Sequence, residues 1–206
     1  MSNTSNLIDN SRPLDLICMG RVAVDFYAEQ VHSPLEDAQS FRKYLGGCAG
    51  NTAVGTARLG LKSAIFSCVG TDDMGVYLRN TLEKEGVDTS LLRDTPNHLT
   101  ALVLLGVNPP EHFPLIFYRE NCADMQIQPE DAEPKIFCQA KALLITGTGL
   151  STPAMRATTR QAVKVAKESG CAVILDIDYR PVLWGLTDAG DGETRFVASE
   201  EVTREI

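Results

Sequence analysis

The sequence predicts an α/β fold: a doubly wound, mostly parallel sheet flanked by helices, with a small β lid standing over one edge. Three observations predict it. Apolar runs of strand length alternate with helical segments, most clearly from residue 142 onward, where strand, helix and strand follow one another as in βαβ units. Several of these runs are continuously apolar, as buried strands are. Two further stretches, 22–31 and 100–118, fit poorly into a wound sheet and suit a lid.

Residues 1–13 are polar, end at Pro13 and read as a flexible tail. That leaves 14–206 as a single partial domain with lid segments at about 22–45 and 99–123. The run Leu-Asp-Leu-Ile-Cys-Met (14–19) is stopped by Gly20 and reads as a buried strand. Residues 22–31 alternate imperfectly through Val22, Val24, Phe26 and Ala28, giving a strand with one polar face. The polar, proline-containing stretch 33–40 is loop. A glycine-rich stretch then opens a helix of small residues (Ala53, Gly55, Ala57), with Val54 and Leu59 as apolar contacts and Gly60 at its end. Residues 62–69 form a strand, and Asp72 or Asp73 caps a helix reaching about Glu85, with Gly86 just past its end. A short strand or extended link occupies 87–93. The apolar runs 100–107 and 113–118 flank Asn108-Pro-Pro-Glu-His, a hairpin loop. A short helical piece begins at Pro129, and 142–146 is a buried strand ending in Gly147-Thr148-Gly149. Ser151-Thr-Pro starts a long helix that carries Met155, Ala162, Val163 and Ala166 and stops at Gly170; 171–177 is the next strand. Ligands on such sheets bind at the carboxyl ends of the strands, which places 147–149 and 176–180 beside the site.

With 206 residues, 44% hydrophobic and 22% charged, the chain is long enough for one sizeable domain and too apolar for long disorder. A formal net charge of -8, with no Lys/Arg cluster, argues against a nucleic-acid partner. No apolar run approaches the ~20 residues of a membrane span, and the start, Met-Ser-Asn-Thr-Ser-Asn, has no signal-peptide core. The six cysteines form no Cys-x-x-Cys pair and only three histidines accompany them, so no metal site is expected. Several cysteines sit in apolar runs, as the reduced thiols of a cytoplasmic protein do.

The candidate site is organised around Gly46-Gly47-Cys48-Ala49-Gly50-Asn51. Three glycines in five residues permit positive φ and close approach to a ligand. Asn51 is placed to cap a helix or bond a hydroxyl. A tight strand-to-helix connection without a ligand is the other reading. Asp25, in Gly20-Arg-Val-Ala-Val-Asp, could accept two ligand hydroxyls, or simply be exposed on an amphipathic strand. At the end of a lid strand Tyr118 offers a hydroxyl and Arg119 a bidentate grip on a carboxylate or phosphate, against a weak Arg119–Glu120 surface pair. Two strand-end acids, Asp176 and Asp178, then Arg180 and a lone tryptophan, make up Asp176-Ile-Asp-Tyr-Arg-Pro-Val-Leu-Trp. Such a set suits a phosphate- or carboxylate-bearing substrate. Asp72 and Asp73 are explained by helix capping and need no chemistry.

Taken together, these motifs resemble the ribokinase-like, or PfkB, family of carbohydrate kinases. Gly46-Gly47 with Asn51 looks like its N-terminal signature; Asp25 and Gly70-Thr-Asp-Asp-Met-Gly fall in the family's order. Tyr118-Arg119 and the 176–184 motif, with Asp178 where the family usually has asparagine, look most like the branch acting on keto-deoxy sugar acids. The resemblance runs from about Asp15 onward and implies a ribokinase-like fold with its C-terminal part missing. It also implies ATP and Mg2+ as cofactors, and transfer of the γ-phosphoryl group to a hydroxyl of a sugar acid such as 5-dehydro-2-deoxygluconate of inositol breakdown. A 2-keto-3-deoxygluconate, fructose or ribose kinase is the alternative, as is a non-catalytic sugar-binding or oligomerisation module. By this resemblance Asp25, Gly46, Gly47, Asn51, Tyr118, Arg119 and Arg180 bind substrate, Asp176, Asp178 and Arg180 lie on the phosphate and Mg2+ side, and a homodimer through the lid is implied. The family's catalytic aspartate, in a Gly-Ala-Gly-Asp element, is expected beyond Ile206, leaving these 206 residues inactive by themselves. Ala189-Gly190-Asp191-Gly192 has Asp188 in place of that element's first glycine and reads as a surface loop.

Overall fold

The computed structural model describes residues 9–110 and 112–206. Five strands, β1 (Leu14–Met19), β4 (Ser63–Gly70), β5 (Leu92–Thr95), β8 (Ala140–Thr146) and β9 (Ala172–Asp176), form a parallel sheet in the order β5-β4-β1-β8-β9. Helices cover both faces, which is why the inner strands β1, β4 and β8 are mainly apolar rather than alternating. Leu16 and Cys18 of β1 pack with α1 (Cys48–Arg58) and α2 (Asp73–Lys84), while Ile17 and Met19 pack with α3 (Pro134–Phe137) and α4 (Pro153–Glu168). The winding reverses at β1, whose neighbours β4 and β8 lead to opposite edges. A crevice for ligands opens at such a switch point, beyond the carboxyl ends of the strands.

The lid is a second, four-stranded sheet in the order β3-β2-β6-β7, from β2 (Ala23–Ala28), β3 (Phe41–Gly46), β6 (Leu102–Leu105) and β7 (Leu115–Tyr118). Strands β2 and β6 are parallel and the outer pairs antiparallel. Strand β3 was not anticipated as a strand: Arg42, Lys43 and Tyr44 are all exposed, so no apolar alternation marks it. Loop 188–192 is exposed at Asp188, Ala189 and Gly190 and turns inward at its end. Gly192 is buried and its N–H donates to the carbonyl of Leu115, capping the free edge of β7.

Asp72 shows how a local signal becomes tertiary structure. As N-cap of α2 it accepts the N–H groups of Met74 and Gly75 at 2.9 and 3.0 Å through one oxygen. Through the other it accepts that of Thr100, at 2.8 Å, tying the helix to the chain entering β6. Burial raises its pKa, but the backbone donors Thr100, Gly75 and Met74 outweigh that and hold it below 3.8. A depressed carboxyl pKa stabilises the fold above the unfolded value and is lost as pH falls through the folded one. Asp72→Ala is therefore expected to lose about 1–2 kcal/mol at pH 7. Urea unfolding at pH 7 should show this deficit, and the two proteins should converge as pH drops below 3.8.

Of the stretch expected as a tail, residues 1–8 lie outside those described; near its end, Arg12 donates to the carbonyls of Phe137, Ala140 and Ser169. Leu59, expected to pack, is exposed just beyond α1. Strand β9 is an edge, and Ile174, Leu175 and Ile177 are exposed along it and just beyond. All six cysteines are free. Among the described residues no helix is long and apolar enough to cross a membrane.

Candidate functional site

Gly20 and Arg21 leave the carboxyl end of β1 at the switch point; Gly147 to Gly149 leave β8 beside it. The Gly46-Gly47 turn packs over this crossing. Gly47, the N-cap of α1, has φ 90 and ψ 135, a conformation reserved for glycine. A Cβ there would overlap the carbonyl of Arg21, and one on Gly46 would overlap the carboxylate of Asp25. The close approach that the glycines permit is thus made first by the chain's own Asp25 and Arg21. Asn51 lies inside α1 and is not its cap; it is exposed, and its side chain makes no hydrogen bond among the described residues.

Strand register sorts the lid residues. Asp25 pairs with Val103, and Val103 with Phe117, so these three share a face. Val24, Leu102 and Tyr118 share the other. Tyr118 is therefore not brought to Asp25; it is 54% exposed on the opposite face, and Phe117 stands on the site side. A one-residue offset separates the two, and period-2 geometry turns that into opposite faces.

Arg119 is buried, at 6% exposure, and its Nε and Nη2 both lie 2.7 Å from Oδ2 of Asp124, which is 1% exposed. It makes neither the surface pair with Glu120 nor an open clamp. Arg21 is equally buried, at 7% exposure, yet forms no ion pair among the described residues; its guanidinium lies 5.3 Å from the Phe117 ring centroid. Burial lowers its pKa, and so does the charge of Arg119, against Asp25, Asp124 and Asp178. Burial pushes the Asp25 carboxyl up, against the pull of Arg21. Polar atoms of four of these groups are enclosed without partners: Arg21 Nε and Nη1, Asp25 Oδ1, Asp124 Oδ1 and Asp178 Oδ2. Buried polar atoms left unpaired are costly, so their convergence marks a place awaiting a polar ligand.

At the end of β9 Asp176 is already engaged. Its Oδ2 accepts the Cys48 thiol at 3.1 Å and its Oδ1 the N–H of Asp178, also at 3.1 Å. Burial, then the hydrogen bond to Asp176, push the Cys48 thiol up to about 12, so it acts as a donor and not a nucleophile. Arg180 reaches Asp178 Oδ1 loosely, at 3.6 Å. A cleft of about 190 Å3 opens between Phe117 and Arg119 on the lid and Thr152, Val182 and Leu183 below. A larger cavity of about 670 Å3, lined by Ile177, Tyr179, Phe196 and Val202, contains none of the expected site residues and is mostly apolar.

Arg21, Asp124, Phe117 and Cys48 were not singled out from the sequence. For Arg21 there was a signal: a lone charge in Met19-Gly-Arg-Val-Ala-Val, among residues that are otherwise apolar. Asp124 gave none, since its role depends on a five-residue turn returning it to Arg119.

The family model for the pfkB family of carbohydrate kinases matches residues 14–189. A 5-dehydro-2-deoxygluconokinase of Geobacillus kaustophilus is 36% identical over 177 residues, 85% of this chain and 53% of that protein. A PfkB protein from Polaromonas sp. JS666 superposes with a TM-score of 0.77 at 30% identity, over 83% of this chain and 57% of that one. A fructokinase from Xylella fastidiosa, solved with bound ATP, superposes with a TM-score of 0.76 at 25% identity, over 82% and 53%. The chain spans about half the length of the curated relatives it matches.

Proposed function

The chain belongs to the pfkB family of carbohydrate kinases, and on that premise we propose that it supplies the sugar-binding part of an ATP-dependent kinase for a keto-deoxy sugar acid. The substrate we assign is of the 5-dehydro-2-deoxy-D-gluconate type, in inositol breakdown. The name of the Geobacillus relative supports that choice. One observation carries the sugar-binding role: Asp25 holds an enclosed, unpartnered carboxylate oxygen over Gly46, on the Phe117 side of the lid.

A carboxylate so placed accepts sugar hydroxyls and orients the acceptor. Gly46 leaves Asp25 its space, and the lid strands keep water, the competing acceptor, from the site. Asp176, Asp178 and Arg180, at and just beyond the end of β9, are assigned to the side of the transferring phosphate. ATP, bound in the Xylella fructokinase, would supply the electrophilic γ-phosphorus. Among the described residues no group of three His, Cys, Asp or Glu side chains could hold a metal ion. The ATP phosphates would bring Mg2+ with them, an ion that needs only one or two carboxylates of the protein. We place the protein in the cytoplasm, as six free thiols favour. A homodimer through the lid is also proposed, and neither a nucleic-acid nor a membrane partner.

Calorimetric titration of the chain with 5-dehydro-2-deoxygluconate, 2-keto-3-deoxygluconate and fructose tests this reading. Binding of the first acid is expected to be tightest, and Asp25→Asn should weaken every sugar by about 10- to 100-fold. No binding of any sugar sinks the proposal; a preference for fructose replaces it with a neutral-sugar kinase. Incubation of the 206 residues with ATP and the acid should yield no sugar phosphate, and sustained turnover would place the catalytic base within this chain.

A further inference from the structure

We propose that Arg21 is the residue that distinguishes an acidic sugar from a neutral one, its guanidinium receiving the substrate's carboxylate between Asp25 and Phe117. This rests on the sugar-kinase reading above and adds the side chain that selects the substrate class.

Three arginines stand near the site, and their pairing separates them. Arg119 spends Nε and Nη2 on Asp124 at 2.7 Å. Arg180 already leans toward Asp178 at 3.6 Å. Arg21 has no carboxylate partner among the described residues, although its Nε and Nη1 are closed off from solvent. A cation taken out of water and left unpaired is among the costlier arrangements a fold can hold. An arriving anion recovers that cost.

The chemistry of the neighbours narrows the anion. The guanidinium carbon lies over the Phe117 ring, 5.3 Å from its centroid, and Nε and Nη1 have no hydrogen-bond partner among the described residues. Asp25 has an unpartnered oxygen, on a side chain that Gly46 alone leaves room for. An unpaired cation beside an unpaired carboxylate asks for a ligand carrying both an anion and a hydroxyl donor. A neutral sugar satisfies Asp25 and leaves Arg21 as it was; a hydroxy acid satisfies both. Inorganic phosphate would satisfy Arg21 but brings no sugar hydroxyl to Asp25. A sugar carboxylate is the chemistry that fits.

The test crosses protein variants with ligand variants. Wild type, Arg21→Gln, Arg21→Lys and Arg180→Gln are each titrated calorimetrically with 2-keto-3-deoxygluconate and with its neutral methyl ester, with fructose as a third probe. Wild type is expected to prefer the acid to the ester by about 10- to 100-fold. That ratio should collapse towards one in Arg21→Gln, return in part in Arg21→Lys, and persist in Arg180→Gln even where both affinities fall. A ratio retained in Arg21→Gln, or lost in Arg180→Gln, overturns the assignment. So does a wild type that binds ester and acid equally, an outcome independent of whether any variant folds. Binding of fructose and ester without an acid preference leaves a sugar kinase and removes only the role of Arg21. If wild type binds none of the three probes, both fall.

Discussion

Arg119→Ala is expected to destabilise the protein by about 3–5 kcal/mol, a large share of the ~5–15 kcal/mol that holds a domain folded. The cause is the carboxylate left behind. Asp124 is 1% exposed, its Oδ2 takes two N–H groups of Arg119 at 2.7 Å, and its Oδ1 already lacks a partner. Without the arginine, a buried charge has nothing to compensate it. The pair also ties the end of β7 to the turn at 123–125 and, through Nη2 at 3.6 Å from the Met155 sulfur, to the start of α4. Urea unfolding of Arg119→Ala, Asp124→Asn and an Arg119→Met, Asp124→Leu double variant separates the effects. The double variant should regain most of the loss, because removing both charges also removes the desolvation cost. An Arg119→Ala protein as stable as wild type would mean the arginine is free for substrate after all. The consequence for binding studies is direct: a weakened sugar affinity in Arg119→Ala reports a damaged lid before it reports a lost carboxylate contact.

The case of Arg119 shows where the sequence was legible and where it was not. Strands buried on both faces write themselves as unbroken apolar runs, and Leu-Asp-Leu-Ile-Cys-Met or Ala-Leu-Leu-Ile-Thr could be little else beside glycine and capped helices. Asp72 was legible because capping is local. Residue pairings were not, because they depend on register and on turns. Tyr118 and Phe117 are adjacent in sequence, and only the pairing of β7 with β6 decides which of them faces Asp25. Arg119 stood beside Glu120 in sequence but beside Asp124 in space. Strand β3 carries its exposed residues consecutively, so period 2 is invisible in it. Gly46 and Gly47 were found for the right property, freedom from a Cβ, although what first comes close to them is the protein itself.

The two glycines are expected to fail in different ways when replaced. Gly47→Ala forces φ 90 and ψ 135 on a residue with a side chain, and its Cβ meets the Arg21 carbonyl, backbone that cannot swing aside. A loss of at least about 3 kcal/mol follows from the strained conformation and the displaced strand. Gly46 needs no positive φ, so alanine fits its backbone and narrows the unfolded ensemble. What its Cβ meets is the Asp25 carboxylate, the end of a side chain able to rotate away. Gly46→Ala should therefore melt within a few degrees of wild type yet lose sugar affinity by at least about 10-fold, as the displaced carboxylate no longer meets the hydroxyls. Thermal melting and sugar titration run in parallel on the two variants decide the matter. If Gly46→Ala keeps its affinity, Asp25 is not the hydroxyl acceptor, and the enclosed oxygen over Gly46 belongs to the fold rather than to the substrate.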